Sequence, residues 1–190
     1  MKHEEAIELV KNKLPEHRFM HTLGVYEAAL ALAEHYGEDS EKAGLAAILH
    51  DYAKNTDKKT LSLWIQASDY PDKILNWNPV VWHGFAAAYI MKEKFNIQDQ
   101  DVLDAIAYHT TGHKNMNRLA KIVYLADMIE KGRDFPGVEQ LRRLACMDLD
   151  QAMLQATKNT IQHLLDSEET IAPYTIEIYN VLLKTKRNEQ

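Results

Sequence analysis

An all-α fold is predicted by two features of this chain. Apolar residues recur at a period near 3.6 through almost every segment, and only 7 Gly and 5 Pro interrupt them. At 190 residues the chain suits one domain with a shared core, residues 1–190, and no repeat, low-complexity tract or linker divides it.

A first helix is expected over about 2–14, where Pro15 removes a backbone donor and interrupts it. The second, about 16–36, puts Val25, Ala29 and Leu32 on its inner stripe and stops at Gly37, a residue suited to a left-handed cap. Ser40 reads as the N-cap of a third helix holding Ala43, Ala46, Ala47 and His50, and Thr56 or Asp57 opens a fourth through Ala67. Asn78 and Pro79 read as N-cap and first residue of a helix reaching about 95 and carrying His83. The next helix, about 99–111, carries His109 and stops at Gly112. Another over about 116–131 carries Asp127, and the GRDFPG segment at 132–137 is the clearest loop. Helices over about 138–166 and 173–186 pack on a core of about 17–135, and the tail at 184–190 reads as a solvated helix end.

A composition of 46% hydrophobic and 26% charged residues is that of an ordinary globular protein. The net charge of -6 gives no general basic footprint, so nucleic acid is excluded as a partner. A polyanionic substrate must therefore meet a local cluster of Arg and Lys. The lone Cys146 rules out an internal disulfide and a cysteine-rich zinc site, fits a reducing compartment, and reads as a small apolar residue on a helix. The N-terminal MKHEEAIELVKNKL has no apolar signal region, and no run approaches the ~18 apolar residues of a membrane span, so a cytoplasmic location is expected.

Several polar residues lie on faces that their own helices should bury. His50 follows Ala47, Ala46 and Ala43 by three, four and seven residues, and His109 follows Ile106, Ala105 and Val102 by the same steps. Asp127 stands likewise after Tyr124, Val123 and Ala120, and His83 precedes Ala86, Ala87 and Ile90. Burying an unpaired carboxylate costs several kcal/mol. A hydrogen bond can satisfy any one of these residues, but six of them, with His21 and Asp51, are an unusual load for one core. A metal site assembled by folding accounts for the whole set.

His50 and Asp51 close the segment AAILHDYAK at 46–54, with His21 upstream and Asp127 downstream. This H…HD…D arrangement resembles that of the HD-domain metal-dependent phosphohydrolases. The segments HRFMHTLGV (17–25), WHGFAAAYI (82–90), AIAYHTTGH (105–113) and YLADMIEKGRDFPGV (124–138) are similar to the bacterial YqeK family, symmetrical bis(5'-nucleosyl)-tetraphosphatases. Members of that family split diadenosine tetraphosphate into two ADP. The resemblance covers nearly the whole chain and implies a single HD-domain helical bundle. It also implies that His21, His50, Asp51 and Asp127 hold one metal ion and His83 and His109 a second, with Asp51 bridging the two. Iron is the metal it implies, as a divalent or mixed-valence pair, while imidazole and carboxylate ligands also admit manganese, cobalt or zinc.

Two such ions activate a bridging water and clamp phosphate oxygens, while the protein positions the polyphosphate. Arg18, three residues before His21, and Lys54, three after Asp51, are spaced to reach the ligand-bearing face. Arg133, His113 and Lys114 add further cations, with a plain surface role equally open to Lys114. Thr110, Thr111 and Gly112 offer donors to phosphate, although the trio also suits a simple helix end. His17, one turn before His21, is a candidate phosphate ligand, proton donor to the departing ADP, or support for a metal ligand. Asp51, His17 and Lys54 are thus the catalytic candidates, and Arg18, Lys54, Thr110, His113 and Arg133 the substrate-binding ones. Glu130 can orient Arg133 or form a surface pair. Trp77, Trp82, Tyr52, Phe135 and Tyr124 suit a helix core before an adenine. The competing readings are cleavage of an alarmone, a nucleoside monophosphate or a cyclic nucleotide on the same scaffold, and a non-catalytic nucleotide-binding regulatory module. A homodimer is expected only because soluble enzymes so often form one.

Overall fold

In the computed structural model, which describes residues 1–188, the helical period becomes ten α-helices, with no strand among the described residues. They are α1 (His3–Lys11), α2 (Glu16–Tyr36), α3 (Ser40–Leu49), α4 (Lys58–Gln66), α5 (Trp82–Glu93), α6 (Gln100–Tyr108), α7 (Arg118–Ile129), α8 (Val138–Ala145), α9 (Leu149–Asp166) and α10 (Pro173–Asn188). Two 3-10 turns, Asp72–Asn76 and Pro79–Val81, lie between α4 and α5. No described helix is long and apolar enough to cross a membrane.

Most boundaries follow the expected punctuation. Pro15 is the N-cap of α2, and Gly37 ends that helix at φ 63°. Asp57 caps α4, its carboxylate accepting from Thr60 N at 3.0 Å. At α3 the cap is Asp39 and not Ser40: an Asp one residue earlier reaches Lys42 N at 3.1 Å and takes the role. Asn78 and Pro79 open only a 3-10 turn, because Asn78 O accepts from Val81 N in an i to i+3 bond of 3.1 Å, and α5 begins at Trp82.

The helix expected over 138–166 is two helices. Asp148 accepts from Asp150 N and Gln151 N at 3.0 Å each, competing with the helical ladder and starting α9 afresh. Cys146 consequently lies exposed at the C-cap of α8 instead of on an apolar helix face. At the tail, Lys184 and Arg187 are exposed on α10, and residues 189–190 lie outside the described residues.

α2 packs on α3 and α7, α5 on α4 and α6, and α6 on α3 and α7, while α8 and α9 lean on α7 and α10 on α9. Small buried residues set these approaches: Ala43, Ala46 and Ala47 on α3, Ala86 and Ala87 on α5, Ala105 on α6, Ala120 and Ala126 on α7. Ile48, Leu49, Phe85, Ile106, Ile122 and Leu125 fill the space between them. Each such large side chain contributes roughly 1.5–3 kcal/mol by leaving water. Tyr124 and Tyr52 are buried in this core and Trp77 packs on it, as expected for these aromatics. The packing brings side chains from the C-terminal ends of α3 and α6, the N-terminal end of α5 and the faces of α2 and α7 to one place, His83 against Asp51, His50 against His109 and His21, and His21 against Asp127.

Asp148→Ala removes the α9 cap and should destabilise the protein by about 1 kcal/mol. A urea melt followed by circular dichroism would show a lower midpoint with native helicity retained below it; an unchanged midpoint would contradict the capping role.

Candidate metal centre

His21 comes from α2, His50 and Asp51 from the end of α3, His83 from the first turn of α5, His109 from the end of α6 and Asp127 from α7. Five separate stretches of chain thus deliver the six ligands expected from the sequence. His50, Asp51, His83 and His109 are each no more than 3% exposed. After His50 the backbone tightens into i to i+3 bonds, Lys54 N to Asp51 O at 2.9 Å among them. Asp51 and Lys54 are thereby eclipsed, with Nζ 3.8 Å from Oδ1.

All four imidazoles are turned the same way. Nδ1 of His50, His83 and His109 donates to the carbonyl three residues back, on Ala47 at 2.7 Å, Val80 at 2.8 Å and Ile106 at 2.7 Å. Ala47 and Ile106 belong to the last turns of α3 and α6, where carbonyls lack a full set of helical partners. His21 Nδ1 donates instead to Glu130 Oε1 at 3.1 Å. With the proton committed to Nδ1, each Nε2 presents a lone pair to the centre.

Those lone pairs converge. His83 Nε2 lies 3.0 Å from His109 Nε2 and 3.1 Å from Asp51 Oδ1, and His21 Nε2 lies 3.0 Å from Asp127 Oδ1. His50 Nε2 stands 3.6 Å from Asp51 Oδ2. Nε2 of both His21 and His50 is buried without a hydrogen-bond partner, so the close Asp127 oxygen lies beside the His21 nitrogen and not along a hydrogen bond to it. Two ligands at right angles on an ion with bonds of about 2.1 Å are roughly 3 Å apart, which is the spacing seen here. The ligand atoms of His21, His50 and Asp127 lie within 4.8 Å of one another, as do those of His50, Asp51 and His109. Converging, proton-free nitrogens and carboxylates of this kind fit a divalent metal. Gly84 allows the convergence: a Cβ there would sit 2.7 Å from Ala107 O and 3.3 Å from His109 Cε1.

The electrostatics agree at His50 and His83 and run the other way at His21, where the carboxylates of Asp127 and Glu130 favour a proton that a metal ion would displace. Burial pushes His50 and His83 down to about 4, keeping both neutral. Burial would raise Asp51, but the imidazoles of His50, His109 and His83 hold it well below the usual carboxylate range. Asp127 is likewise lowered against its burial, by His21, His50 and Arg133. His21 is raised, its burial outweighed by Asp127 and Glu130.

Three expected cations line the centre. Arg18 Nη1 donates to Asp51 Oδ2 at 3.2 Å, Lys54 Nζ reaches His83 Nε2 at 3.3 Å, and Arg133 Nε donates to Asp127 O at 2.7 Å while Nη2 meets Asp127 Oδ1. Thr110 Oγ1 is 2.9 Å from His109 Nε2. The other candidates fare differently. Thr111 is buried and donates to Gly112 O, Gly112 ends its turn at φ 66°, and Lys114 pairs with Glu177 at the surface. His113 stacks on Tyr108, ring centroids 4.6 Å apart, and its ring contacts are with Tyr108 and Tyr174, not with the ligands. His17 is exposed on the first turn of α2. Glu130 is not a surface residue, and its carboxylate does not pair with the Arg133 guanidinium: it is 6% exposed and holds His21, while the Arg133 side chain turns to Asp127. Arg142 was not singled out by its spacing; its guanidinium clamps the carbonyls of Ile129, Glu130 and Arg133 at 2.8–2.9 Å and fixes the loop after α7.

Residues 18–132 match the family described as HD domain. A symmetrical bis(5'-nucleosyl)-tetraphosphatase of Bacillus subtilis is 45% identical over 183 residues, 96% of this chain and 98% of that protein. Its namesake in Halalkalibacterium halodurans is 46% identical over the same shares. The crystal structure of a predicted HD superfamily hydrolase involved in NAD metabolism from Clostridium acetobutylicum aligns with a TM-score of 0.92 at 38% identity, covering 97% of this chain and 98% of that one.

The depressed imidazoles set a pH dependence for the metal-stripped protein. Between about 4 and the ordinary 6.5, the unfolded chain binds protons that folded His50 and His83 refuse, so stability rises with pH across that window. His21, raised above 6.5, contributes fully throughout the window and loses its contribution only above it. Thermal melts of chelated protein should show the rise, and His83→Asn should flatten it; an identical profile in the variant would contradict the assignment.

Proposed function

This chain belongs to the HD domain family, and from that premise we propose that it is a metal-dependent hydrolase cleaving diadenosine tetraphosphate symmetrically into two ADP. One observation carries the reading. Five of the six ligand candidates fall into two overlapping clusters, with His83 against Asp51 and His109, in a chain that is 45% identical, over nearly its whole length, to a protein with that activity in its name.

His21, His50, Asp51 and Asp127 would hold one ion and His83 and His109 the other, and we assign iron to both positions. Asp51 suits the bridging role because its two oxygens face different imidazoles, Oδ1 toward His83 and Oδ2 toward His50. Bound divalent ions lower the pKa of a coordinated water and offset charge on the phosphate it attacks.

The remaining work falls to the chain's own side chains. Arg18, Lys54 and Arg133 bring three positive groups to the ligand carboxylates, and each guanidinium keeps further N–H donors for non-bridging phosphate oxygens. Lys54 is pushed down from the ordinary lysine range by burial, with Asp51 opposing the shift. Its ammonium is therefore able to give up a proton more readily than a surface lysine. The Thr110 hydroxyl beside His109 is a fourth polyphosphate donor. His17 lies exposed one helical turn before His21, a position open to a phosphate ligand, a proton donor to ADP or a support for the metal ligand. A dinucleoside tetraphosphate matches this set because its central anhydride is flanked by phosphates on both sides, giving the spread cations a partner at each end.

Metal-loaded protein given diadenosine tetraphosphate should release ADP as the sole nucleotide product on chromatography. Chelation should abolish turnover, and Asp51→Asn should lower kcat by at least the ~10- to 100-fold that loss of an outer partner of a metal ligand produces. Release of ATP with AMP, or faster cleavage of NAD, an alarmone or a cyclic nucleotide, would overturn the substrate assignment.

A further inference from the structure

Glu130 stands apart from every other group that supports a ligand. The Nδ1 protons of His50, His83 and His109 go to neutral backbone carbonyls, whereas that of His21 goes to a carboxylate. This carboxylate is 6% exposed, so the chain desolvates a charge at a position where a carbonyl serves the other three.

The surroundings are shaped to hold it. Glu130 ends α7 with extended backbone, φ -51° and ψ 155°, which turns its side chain back toward α2. Its Oε2 accepts from Gly132 N, and its carbonyl accepts from Arg133 N at 2.9 Å and from Arg142 Nη2 at 2.8 Å. The space beside the carboxylate exists because Gly24 and Gly132 lack side chains. A Cβ at Gly24 would lie 2.6 Å from Oε2, and one at Gly132 would lie 3.0 Å from it. Two glycines, from α2 and from the loop after α7, thus form a cradle around one buried carboxylate.

A carboxylate behind a ligating imidazole fixes the ring and makes its other nitrogen a stronger donor, an effect that a carbonyl exerts less. We propose that Glu130 is a positioning residue that locks His21 and makes the ion position shared by His21, His50 and Asp127 the tighter of the two, with Gly24 and Gly132 as its cradle. The two positions are then unequal by construction: one is backed by a charge, the other, at His83 and His109, only by peptide carbonyls. The inference rests on the reading of this cluster as a metal centre and adds an order of loading to it.

The test is Mn2+ titration of the metal-stripped full chain, by calorimetry, for wild type, Glu130→Gln, His21→Ala and the double variant. Wild type should show a tight and a weaker class of site. Glu130→Gln should weaken the tight class about 10- to 100-fold and leave the other in place. In the His21→Ala background the same change should have no further effect. Gly24→Ala, whose methyl group would displace the carboxylate, should reproduce the loss and provides the test if Glu130→Gln fails to fold. The proposal is overturned if Glu130→Gln lowers the melting temperature but leaves both affinities unchanged, or if it weakens binding equally with and without His21. Wild-type protein that binds Mn2+ as described yet does not cleave diadenosine tetraphosphate defeats the substrate assignment alone. Cleavage by wild type with unaltered affinity in the variants defeats this inference alone.

Discussion

Four imidazole nitrogens and two carboxylates are turned toward one another without protons between most of them, and the rest of the structure serves that arrangement. Lone pairs about 3.0 Å apart repel unless a cation lies among them. The helices cannot relieve the repulsion by rotating the rings, because each Nδ1 is tied to a carbonyl or to Glu130. Packing therefore stores an electrostatic demand at the centre of the bundle, and binding a divalent ion there meets it. Metal affinity and fold stability are coupled for this reason.

The supporting elements make sense as means of closing that centre. Small residues on α3, α5, α6 and α7 bring helix ends together, and Gly84 lets α5 approach the Ile106 and Ala107 carbonyls of α6 closely. Spare carbonyls at the ends of α3 and α6 settle the orientation of two ligands without any additional side chain. α8 contributes from outside the ligand set, since Arg142 gathers the carbonyls of the loop that carries Arg133. Arg18, Lys54 and Arg133 set positive charge against the carboxylates of Asp51 and Asp127, a local balance that the chain's overall net charge of -6 does not reveal.

Four of the six candidate ligands were legible in the sequence because each breaks a strong pattern. A His or Asp at i+3, i+4 and i+7 from alanines and valines has only one face to occupy, so His50, His83, His109 and Asp127 could be placed by counting. Arg18 and Lys54 followed from spacing to those ligands. What escaped depends on contacts between distant segments. Glu130 reads as a partner for Arg133 three residues on or as half of a surface pair, and only the chain turning at the end of α7 takes it to His21, 109 residues away. The division of α8 from α9 escaped because the apolar period continues across Asp148, while capping geometry overrides it. His113 lies inside a family-like segment, yet its ring was drawn to the aromatic faces of Tyr108 and Tyr174, a preference that spacing along one helix does not reveal.

The central claim is that folding builds a demand for metal into this core. Elemental analysis of the purified protein, paired with thermal melts before and after metal removal, tests it most directly. The account predicts stoichiometric transition metal in the protein as isolated, a lower melting temperature once it is removed, and recovery on reloading, all of which disappear in His50→Ala. Protein isolated without metal, melting at the same temperature with and without added divalent ions, would contradict it.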